Sequence, residues 1–167
     1  GREQEFNGEK RILIDSPKVE KYDDIPEMSG KKVTEQLLAK IDDDEFDFII
    51  VNYANTDMVG HSGNLDAAVK ACNFIDKQIE LLGRKSLEKD YIMIITADHG
   101  NIENMRDCDN NPHTSHTLNK VPFILIGNFD KNIHLNSGSL QDIAPTILSL
   151  MNIKKPKDMT GINLIAN

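Results

Sequence analysis

The chain has 167 residues, 39% of them hydrophobic, enough for one domain with a core and against a disordered segment. Its formal net charge is −8 with no basic stripe, which excludes the electrostatic footprint of a nucleic-acid binder or of a protein held on an anionic membrane. No apolar run approaches transmembrane length and no signal peptide is visible.

The chain begins with Gly1 rather than Met, and its first ten residues are polar and without periodicity, which suggests a piece of a longer protein. Arg11–Ile14 forms a short strand candidate. Pro17 and Pro26 interrupt regular structure between Asp15 and Ser29. Ser29 can cap a helix running from about Gly30 to Ile41, with Val33, Leu37, Leu38 and Ile41 on one face. The acidic run Asp42–Glu45 reads as a solvated turn.

Phe46–Val51 is a short apolar run that predicts a buried strand. The stretch from Asn52 to Gly63 reads as a loop carrying Asp57 and His61. Asn64 is placed to cap a helix extending to about Leu82, where Leu65, Ala68, Cys72, Ile75, Ile79 and Leu82 mark a core-facing stripe and Gly83 a C-cap. Tyr91–Ile95 predicts a second buried strand, followed at once by Thr96-Ala97-Asp98-His99-Gly100-Asn101. The long polar stretch Asn101–Lys120 holds His113 and His116; loops of that length are usually functional or disordered. Val121–Ile126 is a further strand, with Pro122 tolerable only near its start. Ser139 and Asp142 resemble a capping box opening a helix to about Met151, with Pro145 in its first turns. The tail from Asn152 to Asn167 shows no clear element. Strands alternating with helices predict an α/β fold with a mostly parallel sheet.

The chemistry gathers beside the strands. Ligands bind outside the carboxyl ends of strands in open α/β sheets, and Asp57 and Asp98 each follow a strand. Asp57 and His61 are four apart, which on a helical turn puts both on one face. His116 precedes its strand, so reaching the same edge calls for an antiparallel Val121–Ile126, the preferred reading, or for an Asn101–Lys120 loop that crosses back over the sheet. Four of the five histidines, His61, His99, His113 and His116, thus accompany two aspartates; His134 reads as a surface residue. Oxygen and imidazole ligands without thiolate suit Mn²⁺ or Zn²⁺. These candidates exceed the needs of one tetrahedral site, and paired metals are suited to phosphoryl transfer. Cys72, on an apolar helix face, and Cys108, in a polar loop, read as reduced thiols, the pattern of an intracellular protein.

These motifs carry a family resemblance. Asn52–Gly63, Thr96–Asn101 and Pro112–Thr117, with Ser16-Pro17-Lys18-Val19, Tyr22-Asp23 and Pro26–Ser29, resemble cofactor-independent (2,3-bisphosphoglycerate-independent) phosphoglycerate mutase. Asp142–Leu148 is similar to a helix found across the alkaline phosphatase superfamily. The resemblance implies an alkaline phosphatase-like, three-layer α/β/α fold, of which this chain is the C-terminal part of the phosphatase-like domain. It implies interconversion of 3-phosphoglycerate and 2-phosphoglycerate through a phosphoserine, with two Mn²⁺ per complete site and Mg²⁺, Co²⁺ or Zn²⁺ as alternatives. Asp57, His61 and His116 are then ligands of one metal, and Asp98 and His99 of the other, with His113 in support. The nucleophilic serine, the remaining ligands and an inserted transferase domain are expected upstream; Ser62 has no base placed to activate it. Lys120 departs from a proline common in the family. The implied protein is a cytoplasmic monomer acting on a small molecule, and the isolated chain is expected to be inactive. The alternatives are another phosphomutase or phosphodiesterase of the superfamily, or a non-catalytic metal-binding module.

Overall fold

A computed structural model describes residues 4–130 and 132–166. The chain divides into two compact units, Gly1–Gly127 and Asn128–Asn167.

The first unit is built on three helices and a strand pair. Helix α1 (Gly30–Asp43) begins where Gly30 lies against Phe74: a Cβ there would stand 2.6 Å from that ring. Thr34 is buried in α1, its hydroxyl donating to the Gly30 carbonyl at 3.0 Å and paired with the Tyr53 hydroxyl at 2.7 Å. The expected stripe is present, with Ile41 buried and Val33, Leu37 and Leu38 half-buried. Ser29 precedes α1 but does not cap it with its side chain; its hydroxyl donates to the Asp15 carbonyl at 2.6 Å and ties down the proline-rich segment. The acidic run is not simply a solvated turn either. Asp42 and Asp43 extend α1, Asp42 lies 3.2 Å from Lys85 Nζ and 3.3 Å from Lys89 Nζ, and the turn falls on Asp44 in left-handed conformation (φ 52°).

Helix α2 (Asn55–Gly60) occupies part of the expected Asn52–Gly63 loop. Helix α3 (Leu65–Glu88) is capped by Asn64, whose side chain accepts from the Ala67 N–H at 3.2 Å. It runs past Gly83, which is buried inside the helix; the chain turns instead at Asp90 (φ 60°). Its buried face is the expected one in part: Ala68 and Leu82 are buried and Ile75 and Ile79 half-buried, but the face is shifted toward the alanines. Ala67, Ala68, Ala71, Gln78, Leu82 and Ser86 are buried, while Leu65 and Cys72 are exposed. The small side chains let α2 approach closely, and Val59, wholly buried, packs on Ala67, Ala68 and Ala71 together with Met105. This core seats both α2 and the segment after His99 on one helix.

Strands β1 (Met93–Thr96) and β2 (Phe123–Ile126) pair antiparallel, with Met93 opposite Ile126 and Thr96 opposite Phe123. The antiparallel direction expected for Val121–Ile126 is therefore present, and Pro122 lies just before the ladder. The approach to β2 is delivered to the carboxyl end of β1, and a bridge between Gly100 and Thr117 extends the pairing. The parallel part of the expected sheet is not laddered among the described residues. Arg11–Ile14 and Phe46–Val51 carry no strand, and Leu13 and Ile50 are 83% and 84% exposed. A strand needs a second backbone to take its N–H and C=O groups, and among the described residues neither segment is laddered to one.

The second unit holds β3 (His134–Leu135) antiparallel to β4 (Ile165–Ala166), and helix α4 (Ile143–Leu150) preceded by a 3₁₀ turn at Leu140–Asp142. The capping arrangement expected at Ser139 is present: Asp142 Oδ2 accepts from the Ser139 N–H at 2.8 Å, and Oδ1 accepts from the Ile162 N–H at 2.8 Å. His134 is exposed, as expected, and the tail acquires the short strand β4.

Candidate metal centre

Asp57 lies in the first turn of α2 and His61 is its C-terminal cap, so one helical turn carries both side chains to one face. Asp57 Oδ1 is 3.3 Å from His61 Nε2 and 3.2 Å from His116 Nε2, and the two Nε2 atoms are 3.0 Å apart. Ligand atoms about 2.0–2.1 Å from one metal stand ~3.3 Å apart at the tetrahedral angle and ~3.0 Å apart at a right angle. The three edges of this triangle match such a ligand set.

The electronic state of the donors also fits a divalent cation. His61 Nδ1 is 2.7 Å from the Thr114 carbonyl oxygen, which can only accept. In the neutral ring Nδ1 therefore carries the proton and Nε2 turns its lone pair to Asp57 and His116, the orientation that backs metal-ligating histidines. Burial acts to raise the Asp57 carboxyl, but the Asn101 hydrogen bond and the imidazoles of His61, His116 and His99 outweigh it and hold the group below its ordinary value. An ionised carboxylate thus faces the Nε2 atoms of His61 and His116.

His99 adjoins this triangle. Its ring stacks on His116 with centroids 3.5 Å apart, and its Nδ1 lies 3.9 Å from Asp57 Oδ1, buried and without a hydrogen-bond partner among the described residues. Ligand atoms of Asp57, His99 and His116 all fall within 4.8 Å of one another, a second grouping able to hold a metal. Asp98 stands apart: its side chain is 85% exposed, and its one ion-pair distance among the described residues is 3.5 Å to His99 Nε2. His99 is thus placed between Asp98 and the triangle. His113 Nδ1 is buried without a partner, and its N–H is bonded to the Met105 carbonyl at 3.0 Å. Its ring is not part of either grouping.

Sequence reasoning assigned no role to the residues behind the ligands. Asn101, 4% exposed, donates from Nδ2 to Asp57 Oδ1 at 2.7 Å. Its own N–H donates to Glu103 Oε2 at 2.6 Å. Glu103 Oε1 accepts from the Thr117 hydroxyl and from Asn119 Nδ2, fastening the segment after His99 to the one after His116. The Thr117 hydrogen bond, first among several, lowers the Glu103 carboxyl to about 2. The available signal was a polar Asn-Ile-Glu immediately after Asp-His-Gly. Ser62 donates to the Val59 carbonyl at 2.7 Å and accepts from the Asn64 N–H at 3.0 Å, so its hydroxyl is engaged in the turn between α2 and α3.

Comparison with known proteins agrees with a metal centre. A model of the metalloenzyme superfamily matches residues 1–155. Proteins named 2,3-bisphosphoglycerate-independent phosphoglycerate mutase are 50% identical in Ehrlichia ruminantium (strain Gardel) and 54% identical in Wolbachia pipientis wMel, each alignment covering 99% of this chain and 33% of the relative. The one in Francisella tularensis subsp. tularensis (strain WY96-3418) is 52% identical over 96% of this chain and 32% of its own length. The chain therefore spans about a third of the length of these relatives. A crystal structure of Leishmania mexicana phosphoglycerate mutase at low cobalt concentration superposes with a TM-score of 0.83 at 26% identity, covering 92% of this chain and 31% of that one. Over that span the two share an α/β, alkaline phosphatase-like fold. The chain belongs to the metalloenzyme superfamily.

Proposed function

We propose that this chain is the C-terminal portion of the phosphatase-like domain of a 2,3-bisphosphoglycerate-independent phosphoglycerate mutase, a cytoplasmic enzyme interconverting 3- and 2-phosphoglycerate through a phosphoserine. The observation that carries the reading is the convergence of Asp57, His61 and His116 at metal-ligand spacing, in a chain about half identical to proteins of that name. In this reading Asp57, His61 and His116 hold one divalent metal, and Asp98 and His99 supply part of a second site. Mn²⁺ suits the mixed carboxylate and imidazole set. A bound metal pair supplies Lewis-acid stabilisation of phosphoryl oxygens and favours the deprotonated hydroxyl nucleophile.

The chain's own residues prepare that chemistry. Asp57 stays ionised through Asn101 and the imidazoles. Thr114 fixes the His61 tautomer. Asp98, beside His99 Nε2 and largely exposed, is able to meet ligands from elsewhere in a longer polypeptide. Ser62 is occupied by the α2–α3 turn, in keeping with a nucleophile outside this segment. In Mn²⁺-loaded full-length protein, turnover of 3-phosphoglycerate is expected, and Asp98→Ala or His116→Ala should cut it by more than about a hundredfold, since even groups behind metal ligands are worth about 10–100-fold. The 167-residue chain alone should show no turnover. Near-normal rates in either variant, or robust turnover by the chain alone, would overturn the reading.

A further inference from the structure

Resting on the metal reading, we propose that Asn101 is a positioning residue that fixes which oxygen of Asp57 faces the metal, and so sets the strength and geometry of the three-ligand site. Asp57 Oδ1 is the oxygen at the centre of the imidazoles, 3.2–3.3 Å from the Nε2 atoms of His116 and His61. It is also the oxygen that Asn101 Nδ2 holds, at 2.7 Å. The same amide nitrogen lies 3.2 Å from the Asp57 backbone carbonyl, so one side chain grips the ligand and the helical turn that carries it.

The grip is itself built in. Glu103 Oε2 anchors the Asn101 N–H, and Glu103 is held in turn by Thr117 and Asn119, next to His116. Gly60 leaves the room Asn101 occupies: a Cβ at Gly60 would stand 2.6 Å from Asn101 Oδ1 and 2.8 Å from its Cγ. Meanwhile Asn101 Oδ1 is buried with no hydrogen-bond partner among the described residues. A residue kept for folding alone has no reason to bury an unsatisfied acceptor, which is costly; an amide kept for its donor toward a ligand oxygen does. The hydrogen-bonded partners of metal ligands set their orientation and are worth about 10–100-fold in affinity.

Asn101→Leu separates the two roles, because leucine keeps the branched shape while removing the donor and the orphaned acceptor together. The 167-residue chain and its Asn101→Leu variant are titrated with Mn²⁺, following free ion by electron paramagnetic resonance. Visible spectra of both are recorded with Co²⁺, and thermal unfolding without metal. The expected result is a metal-free melting temperature at or above wild type, Mn²⁺ affinity about 10–100-fold weaker, and a changed Co²⁺ d–d band. Asn101→Gln, which keeps an amide donor, should recover part of the affinity. Wild-type affinity with an unchanged cobalt spectrum in Asn101→Leu overturns the positioning role and leaves the metal reading standing. Failure of the wild-type chain to bind Mn²⁺ overturns the metal reading, and this inference with it. A fall in affinity matched by a collapse of the metal-free fold in both variants assigns Asn101 to folding and also overturns the proposal.

Discussion

Glu103 shows how a residue outside the Asp57–His61–His116 triangle can tie together the segments that build it. Its carboxylate bridges two chain segments, one carrying Asp98 and His99, the other His116. Its folded value of about 2 lies below its ordinary 4.5. A depressed carboxylate contributes stability that is fully present above the unfolded value and is lost as pH falls toward the folded one. Stability attributable to Glu103 should therefore be intact above about pH 4.5 and fade between there and about pH 2. Urea midpoints for wild type and Glu103→Gln, measured from pH 6 downward, should differ most above pH 4.5 and converge under acid. A constant gap across that range would show that the charge on Glu103 is not what holds the two segments. Asp57 and His61 were legible as a pair because four-residue spacing has a geometric meaning. Asn101 and Glu103 were not, because their partners, Asp57 and Thr117, are distant in sequence.

Among elements, direction was easier to read than pairing. A histidine placed before its strand, where both aspartates follow theirs, predicts an antiparallel β2, and the register of β1 against β2 bears this out. Phe46–Val51 is as apolar as β1 but forms no ladder among the described residues, since strand formation depends on a second backbone that composition does not reveal. Helix α2 was missed because six residues are too few to show a period. In α3 the large apolar residues drew the stripe to Leu65 and Cys72, whereas close approach of α2 selects the alanines. In the second unit, Thr146 does similar work for the tail. It is wholly buried, donates to the Asp142 carbonyl at 2.7 Å and accepts from the Leu164 N–H at 2.9 Å. Thr146→Val keeps the shape but strands that N–H, at a cost of about 1–3 kcal/mol. Thr146→Ser should be milder in hydrogen bonding, losing only a methyl group. Equal urea midpoints for Thr146→Val and wild type would show that the tail is held by other contacts.

At the scale of the whole molecule, an acidic chain places one carboxylate and three imidazoles together on a core of alanines, valine and methionine. α2, the segment after β1 and the segment before β2 each bring side chains to that place: Asp57 and His61, His99, and His116. No helix among the described residues is long and apolar enough to cross a membrane. These side chains are unequally gathered: atoms of Asp57, His61 and His116 lie 3.0–3.3 Å apart, while among the described residues Asp98 forms an ion pair only with His99. The most direct test is anomalous diffraction from crystals of this chain soaked in Mn²⁺. The account predicts a strong peak enclosed by Asp57, His61 and His116, and a weaker one or none beside Asp98 and His99. Equal peaks at both places, or no peak within the triangle, would contradict it.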